Sequence, residues 1–472
     1  MPPIAATLVC CAFCLGLFWL DRDPKARTSA SLWVTFIWVF LASTRSFSQW
    51  FQIDDTMRSS VQLTEGSPID RFIYSGLVVV AIAVLLRRRR QTGRLLRGNA
   101  PILIFFLYCL VSLGWADYPD IGFKRWIKAV GDFTMVLIVL SEVDPWSAMK
   151  KLFARLSFVL MPFSVLLIKY YPAYGREYSR WTGEVRYTGV TTNKNALGAI
   201  CLCCGVICLW RLLRAYRDRK AGGRNRQLIA NGVVLSMILW LFWITNSMTS
   251  WVCFLMAGVI LVVASSRLAR RRPEFVLLLL AGQIFVSATV VFVGIATVLH
   301  ALGRSLELTD RTGIWAQVIR LTPHALVGSG FENFWLGSRL QMMWAAYAWH
   351  PGQSHNGYIE VYANLGWLGV SLLAMVLVTG YRNAFAAWRR NPGLGNINLA
   401  FFLVGIVYNF SEAAFFRMMT PTWIFFLFAI TWAQKPKPSA QPWLEQPVKT
   451  QRLLEWQPTP WIAAEIAKQS DF

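Results

Sequence analysis

The chain has 472 residues, of which 56% are hydrophobic, and its apolar residues form long blocks bounded by charges. Such blocks exclude an ordinary soluble domain, because in a soluble domain the apolar residues recur at the period of a helix or a strand. The net charge of +23 does not indicate a nucleic-acid-binding protein: the positive charges lie in short connections between the blocks, so membrane topology explains them better.

The apolar blocks predict an all-α polytopic membrane protein with about 12–13 transmembrane helices. A helix of about 20 apolar residues spans the hydrocarbon core and satisfies its own backbone hydrogen bonds there. No Lys or Arg precedes the first block, so we expect a retained helix rather than a cleaved signal peptide. The predicted spans are 3–20, 30–44, 72–86, 101–116, 123–140, 152–168, 195–210, 228–245, 249–265, 275–299, 358–380, 397–411 and 421–434.

Alternate connections between these spans are rich in arginine, notably 87–97, 211–226 and 267–272. By the positive-inside rule they face the cytoplasm, which places the N-terminus and the long connection 300–357 on the outer side. The final segment, 435–472, is rich in Pro and Gln and predicts a disordered cytoplasmic tail, so the transmembrane domain covers 1–434.

All nine cysteines lie inside apolar blocks, among them Cys201, Cys203, Cys204 and Cys208. A metal site needs deprotonated thiols and polar neighbours, so these side chains are expected to pack and no metal is predicted. With no cysteine in a polar connection, structural disulfides are not expected.

All four histidines lie in or at the edge of the outer connection 300–357, namely His300, His324, His350 and His355. Long loops of this kind are usually functional. His355 directly precedes a predicted span, and the positive end of a helix disfavours the imidazolium form. A neutral imidazole can act as a general base; a hydrogen-bonded structural histidine is the alternative. Tryptophans of the same connection, such as Trp349, are expected mostly to be interfacial anchors.

A second outer segment, 169–198, carries cations on the side where the positive-inside rule does not require them. These are Arg176, Arg180, Arg186 and Lys194. Such a cluster predicts an anionic partner, and guanidinium groups hold a diphosphate well; surface solvation remains the alternative for Arg176 and Arg180. Arg311 lies in the first turn of a short predicted helix, where it opposes the helix dipole, so an anionic partner is expected there too.

Within the predicted spans, Lys128 and Asp132 are four residues apart and therefore share one face of a helix. Mutual pairing would lower the cost of burying both charges, so a structural ion pair is predicted. A proton relay is the alternative.

A set of short motifs carries a resemblance to a known family. They are RYTG at 186–189, NKNALG at 193–198, DRTGIW at 310–315, GSGF at 328–331, and HNG at 355–357 followed by Gly366 and Gly369. In this order and spacing the chain resembles the O-antigen ligase and polymerase superfamily. Two early motifs, STRSFSQW at 43–50 and GSPIDR at 66–71, further resemble its branch of exopolysaccharide production proteins.

The resemblance implies a multi-helix glycosyltransferase fold over 1–434 in the bacterial inner membrane, with its active site on the periplasmic face. It implies a polyprenyl diphosphate-linked glycan as donor, a glycan or lipid as acceptor, and neither a metal nor another cofactor. Arg186 and Arg311 would then hold the diphosphate, and His355 would deprotonate the acceptor hydroxyl. Arg180 and Lys194 would add phosphate contacts, and Asn356 would orient His355 and contribute to substrate binding.

The family branches into polymerases of repeat units and ligases of finished chains, and the resemblance favours a polymerase here. The expected partners include membrane lipid and proteins of polysaccharide export or chain-length control, and no nucleic acid. Two alternatives stay open: a transporter or flippase of lipid-linked glycans, which predicts charges distributed through the spans, and a noncatalytic assembly partner.

Overall fold

The computed structural model describes residues 1–22, 28–51, 67–178, 183–218, 223–292 and 309–431. Three predictions fall outside these residues: the role of Arg180, that of His300, and the cytoplasmic tail 435–472.

The described chain is built from helices and one short hairpin. The helices are α1 (Pro3–Leu20), α2 (Leu32–Ser43), α3 (Phe47–Trp50), α4 (Pro68–Arg87), α5 (Arg89–Gly98), α6 (Ala100–Val111) with a 3₁₀ turn (Ser112–Trp115), α7 (Pro119–Leu140), α8 (Pro145–Tyr170), α9 (Pro172–Gly175), α10 (Lys194–Arg217), α11 (Arg224–Thr245), α12 (Met248–Ala264), α13 (Arg267–Arg271), α14 (Pro273–Phe292), α15 (Thr309–Leu321), α16 (Gly337–Ala346), α17 (Gly357–Arg390), α18 (Pro392–Tyr408) and α19 (Pro421–Ile430). The hairpin pairs β1 (Arg176–Tyr178) with β2 (Val185–Tyr187) in antiparallel register.

Each predicted span coincides with one of these helices over most of its described length, which confirms an all-α polytopic membrane protein. Within the described residues, seven helices are long and apolar enough to cross a membrane, and four more apolar helices are shorter. The pair α5 and α6 with its 3₁₀ turn bends by 84° and counts as an eighth span if it is taken as one. The total of about 12–13 spans therefore stays a prediction.

The helices at the edge of the bundle present apolar side chains outward. Only 11% of the 18-residue apolar stretch of α1 is buried inside the protein, and the same share holds for the corresponding stretch of α14. Leu8 and Phe285 on these two helices are exposed. Apolar surface of this extent is expected where helices face lipid rather than water.

Contacts at the helix ends and connections divide the bundle into two ends that follow the predicted alternation. At the arginine-rich end, Arg88 pairs with Glu142 and the indole of Trp388 donates to the carbonyl of Ala264. At the opposite end, which we call the site end, Thr249 contacts Ser411 at 3.1 Å. Both kinds of contact join residues that the sequence places on the same side.

The long helix α17 is broken at Gly366, whose φ is +63°. There the segment 325–329 packs against the break: the amide of Trp367 donates to the carbonyl of Ala325 at 2.9 Å, and that of Leu368 to the carbonyl of Leu326 at 3.1 Å. A side chain at Gly328, whose φ is +70°, would lie 2.4 Å from the backbone of Asn364. The GSGF motif thus allows the connection to pack directly on the helix that follows His355.

The prediction of a Lys128–Asp132 ion pair is wrong. Asp132 accepts hydrogen bonds from the indole of Trp38 at 2.8 Å and from the amide of Met419 at 3.0 Å. The ammonium group of Lys128 instead lies 5.0 Å from the centre of the Tyr74 ring, and no ion pair joins it to Asp132 in the described part of the chain. A neighbouring helix and a neighbouring connection supply better partners than the same helix face does, because each can approach a buried group from a direction of its own.

Candidate active site

His355 lies in a sharp turn at the start of α17. Its φ is +53°, a left-handed conformation that is unfavourable for a residue with a Cβ. Asn356 follows as the helix cap: its side-chain oxygen accepts from the amides of Tyr358 and Ile359 at 3.0 and 3.2 Å, and its NH₂ group donates to the carbonyl of Phe410. The cap and the turn together fix the direction in which His355 leaves the backbone.

Glu412, in the connection between α18 and α19, is the partner of His355. The Nδ1 of His355 lies 3.0 Å from Oε2 of Glu412, and the two side chains are 17% and 10% exposed. An ionised carboxylate can only accept, so Nδ1 of His355 donates its proton to Glu412, and in the neutral form of the ring Nε2 is then an acceptor. The side-chain NH₂ of Gln353 also donates to the same carboxylate oxygen, at 3.3 Å.

Two guanidinium groups complete this cluster. Arg311 donates to the carbonyl of Ser411 at 2.6 Å, and another of its nitrogens lies 3.8 Å from Oε1 of Glu412. Arg417 donates to the side-chain oxygen of Gln353. Burial acts to raise the pKa of Glu412, but the hydrogen bond from His355 and the charges of His355, Arg311 and Arg417 outweigh it and hold that pKa below its ordinary value. The carboxylate therefore stays ionised beside His355.

Arg186 and Lys194 lie in the second outer segment. Arg186 is half-buried in β2, and Lys194 is the half-buried first residue of α10. Neither side chain has a hydrogen bond or an ion pair within the described ranges. Arg176 differs, because it donates to the carbonyl of Ile168 at 2.9 Å. In this segment, the two described cations that were predicted to bind phosphate thus have no described protein partner, whereas Arg176 has one.

The STRSFSQW motif contacts the backbone on both sides of the hairpin. The guanidinium of Arg45 donates to the carbonyl oxygens of Gly189 and Tyr174, and its amide donates to the carbonyl of Val190 at 3.2 Å. The amide and hydroxyl of Ser48 donate to the buried carboxylate of Asp70, at 3.0 and 2.6 Å. The two early motifs therefore contact each other and hold the turn that follows Arg186.

A short chain of contacts links the start of α10 to the His355 cluster. A Cβ on Gly198 would lie 2.6 Å from the side chain of Ser247, so the two helix ends pack closely. Two residues further on, the Thr249 hydroxyl lies 3.1 Å from that of Ser411, whose carbonyl accepts from Arg311. The structure thus brings His355 and Arg311 into one cluster and places Arg186 and Lys194 at the same end of the bundle.

Sequence reasoning missed three members of the cluster, Gln353, Glu412 and Arg417. Their signal was present but weak: Glu412 and Arg417 are the only charged residues in the short outer connection between the last two predicted spans. An acid among aromatic residues at a membrane surface needs a partner. Among the described residues, no group of three His, Cys, Asp or Glu side chains is arranged to hold a metal ion.

No family model matches the chain. Over 295 residues the chain is 24% identical to the exopolysaccharide production protein ExoQ of Rhizobium meliloti (strain 1021). The match covers 59% of this chain and 64% of that relative's length, just under two thirds. This similarity confirms the resemblance to the exopolysaccharide branch that the motifs indicated.

Proposed function

We propose that this chain is a membrane glycosyltransferase of exopolysaccharide production that polymerises polyprenyl diphosphate-linked repeat units on the periplasmic face of the bacterial inner membrane. The similarity to ExoQ supports a role in exopolysaccharide production. The clustering of a base, its carboxylate partner and cations at the site end supports catalysis rather than a purely structural role.

One observation carries the proposal: Glu412 contacts both His355 and Arg311, at 3.0 and 3.8 Å. The carboxylate orients the imidazole and stabilises the positive charge that the imidazole gains on accepting a proton. Arg311 lies on the other oxygen of the same carboxylate, so the cation for a diphosphate and the base for a hydroxyl are held by one group. A glycosyl transfer from a diphosphate carrier needs both functions within one site.

The proposed step is a single displacement. An acceptor hydroxyl passes its proton to Nε2 of His355 as its oxygen bonds to the anomeric carbon of the donor. The bond from that carbon to the diphosphate oxygen breaks, and the polyprenyl diphosphate leaves with the electron pair. Arg311 and Arg186 offset the charge that develops on the leaving group, with Lys194 as a further contact. Inversion at the anomeric carbon follows from attack opposite the leaving group.

Gel analysis of lipid-linked and surface glycans tests the proposal in a deletion strain complemented with wild type, His355→Ala or His324→Ala at matched membrane expression. His324 is an exposed histidine of the same connection and serves as the control. We expect the deletion and His355→Ala strains to accumulate single repeat units on the carrier and to lack long chains. His324→Ala is expected to restore them.

Other outcomes would contradict parts of the proposal. Long chains that persist on the carrier without reaching a final acceptor would identify a ligase. Repeat units that stay on the cytoplasmic leaflet would indicate a flippase. Wild-type glycans from the His355→Ala strain would remove His355 from the site, and wild-type glycans from Arg186 and Arg311 variants as well would indicate a noncatalytic partner.

A further inference from the structure

Trp349 differs from the other tryptophans of the long outer connection. Three of them donate their indole N–H to protein acceptors: Trp315 to the carbonyl of Ser354, Trp335 to Glu360, and Trp344 to the carbonyl of Pro351, at 2.9, 2.7 and 3.1 Å. Trp349 is 44% exposed, and its indole N–H has no partner among the described residues. An indole that is half in solvent with an unused donor is available to a ligand.

The ring of Trp349 lies beside the proposed base. The ring centres of Trp349 and His355 are 5.8 Å apart and their planes are inclined by 50°, so the two rings are tilted and not stacked. Tyr347 extends the aromatic surface, with its ring centre 6.4 Å from that of Trp349. Between the two residues along the chain, a Cβ on Gly352 would have no atom within 4 Å. The loop is therefore open to solvent at Gly352, and the Trp349 ring is itself half-exposed.

The backbone between the two rings is held firmly. His350 and His355 both have a left-handed φ, +55° and +53°. Between them, Trp344 and Trp315 donate to the carbonyls of Pro351 and Ser354. Strained residues persist where the surrounding structure holds them, and they concentrate at functional sites. The arrangement keeps the exposed indole at a fixed distance from the imidazole.

An interfacial anchor does not need this arrangement. Trp243, at the same end of the bundle on α11, is 80% exposed and is of the kind expected for an anchor in lipid headgroups. Trp349 instead lies beside a cluster of charged groups, where an aromatic ring gives a flat surface for a partly polar ligand. A pyranose is such a ligand, because the C–H groups on one of its faces pack on the negative face of an indole while its hydroxyls remain free.

We propose that Trp349 is the stacking platform of the acceptor subsite. A pyranose of the acceptor glycan packs its C–H face on the indole, and one of its hydroxyls then reaches Nε2 of His355. The inference rests on the proposed function, since it assigns the sugar next to the base as the acceptor. It names the acceptor as a pyranose with an uninterrupted C–H face.

Steady-state rates of the purified full-length protein test this inference. The donor is a lipid-linked repeat unit whose own acceptor hydroxyl is blocked, at saturating concentration, and the varied acceptor is a soluble oligosaccharide of one repeat unit cut from the host's polysaccharide. Trp349→Ala should raise the acceptor KM about 10-fold and leave kcat within about threefold. This scale is that of a nucleobase stacked on an aromatic side chain, a contact of comparable size. Trp349→Phe should keep most of the affinity, and Trp243→Ala should match wild type.

The outcomes separate this inference from the proposed function. An unchanged acceptor KM in Trp349→Ala, with turnover abolished in His355→Ala, overturns the platform and leaves the proposed function intact. An increase confined to the donor KM also overturns it. Full turnover in His355→Ala would instead overturn the proposed function on which the platform rests.

Discussion

Two charged clusters at opposite ends of the bundle are built differently. At the arginine-rich end two cations each pair with one carboxylate: Arg88 lies 2.8 Å from Glu142, and Arg211 pairs with Asp21. In the His355 cluster at the site end, one carboxylate, that of Glu412, contacts both His355 and Arg311. A one-to-one ion pair has no net charge to attract a ligand, whereas one carboxylate shared by Arg311 and a protonated His355 leaves a net positive charge that can bind an anionic ligand.

Hydrogen bonding sharpens the same contrast. Arg88 also donates to Ser29, Ser31 and the carbonyl of Ile138, so its guanidinium is saturated by the protein. Arg186 and Lys194 have no such partners in the described part of the chain. Saturated charges stabilise a fold, while unsaturated ones at a surface are typical of a binding site. Substitutions at the site end should therefore reduce activity, and those at the arginine-rich end should reduce stability.

The largest effect on activity is expected from His355→Ala. Loss of a general base typically lowers the rate by about 10²–10⁴-fold, because no side chain then takes the proton of the attacking hydroxyl in the transition state. Initial rates of the purified protein measure this loss, and thermal melting in detergent should match wild type. A variant that melts early would show that His355 stabilises the fold instead.

Arg186→Gln is expected to lower kcat by about 100-fold, the typical effect of removing one group that stabilises developing charge. Arg176→Gln is the matched control, because Arg176 lies on the partner strand and its guanidinium donates to a backbone carbonyl of α8. Rates of the two variants, measured side by side, decide the question. Equal losses in both would mean that the hairpin matters only for its shape.

Glu412→Gln should lower kcat by about 10-fold to 100-fold with little change in either KM, since Glu412 orients His355 rather than touching substrate. Glu412→Asp should recover part of the rate because it restores the charge. Loss of donor affinity in Glu412→Gln, with kcat unchanged, would argue that Glu412 acts through Arg311 and not through His355.

At the arginine-rich end, Glu142→Gln should destabilise the protein by about 2 kcal/mol and leave kcat unchanged, because Arg88 loses its charged partner. Thermal melting in detergent and initial rates on the same preparation measure both quantities. A fall in kcat at matched folded fraction would contradict the separation of the two ends.

The smallest effect concerns pH. Burial acts to raise the pKa of Glu142, but its hydrogen bonds from Ser29 and Arg88 and the charge of Arg88 hold that pKa below the ordinary value of 4.5. A carboxyl group whose pKa is lower in the folded state stabilises the fold at pH values above its ordinary pKa. This stability is lost as the pH falls through the pKa of the folded state. The same direction holds for Glu412.

The melting-temperature difference between wild type and Glu142→Gln should therefore stay constant from about pH 8 to pH 6 and shrink below about pH 4.5. A difference that grows as the pH falls would give the opposite sign and contradict the pairing at that end.

Much of this architecture follows directly from the sequence. Long apolar blocks can satisfy their backbone only as helices in a membrane, so the positions of the spans could be predicted closely. Proximity of His355 to a helix start was also predictable, because the turn residues precede an apolar block in the chain. The positions of Arg311, Arg186 and Lys194 at the site end follow from counting spans.

Tertiary structure alone decided which side chains meet. Glu412 lies 57 residues beyond His355 along the chain, and no local pattern links two connections that follow different helices. Asp132 likewise took Trp38 and the amide of Met419 in place of Lys128. Periodicity along one helix determines which face a residue occupies, but the partner of a buried charge depends on how separate helices pack, and that information is spread over the whole chain.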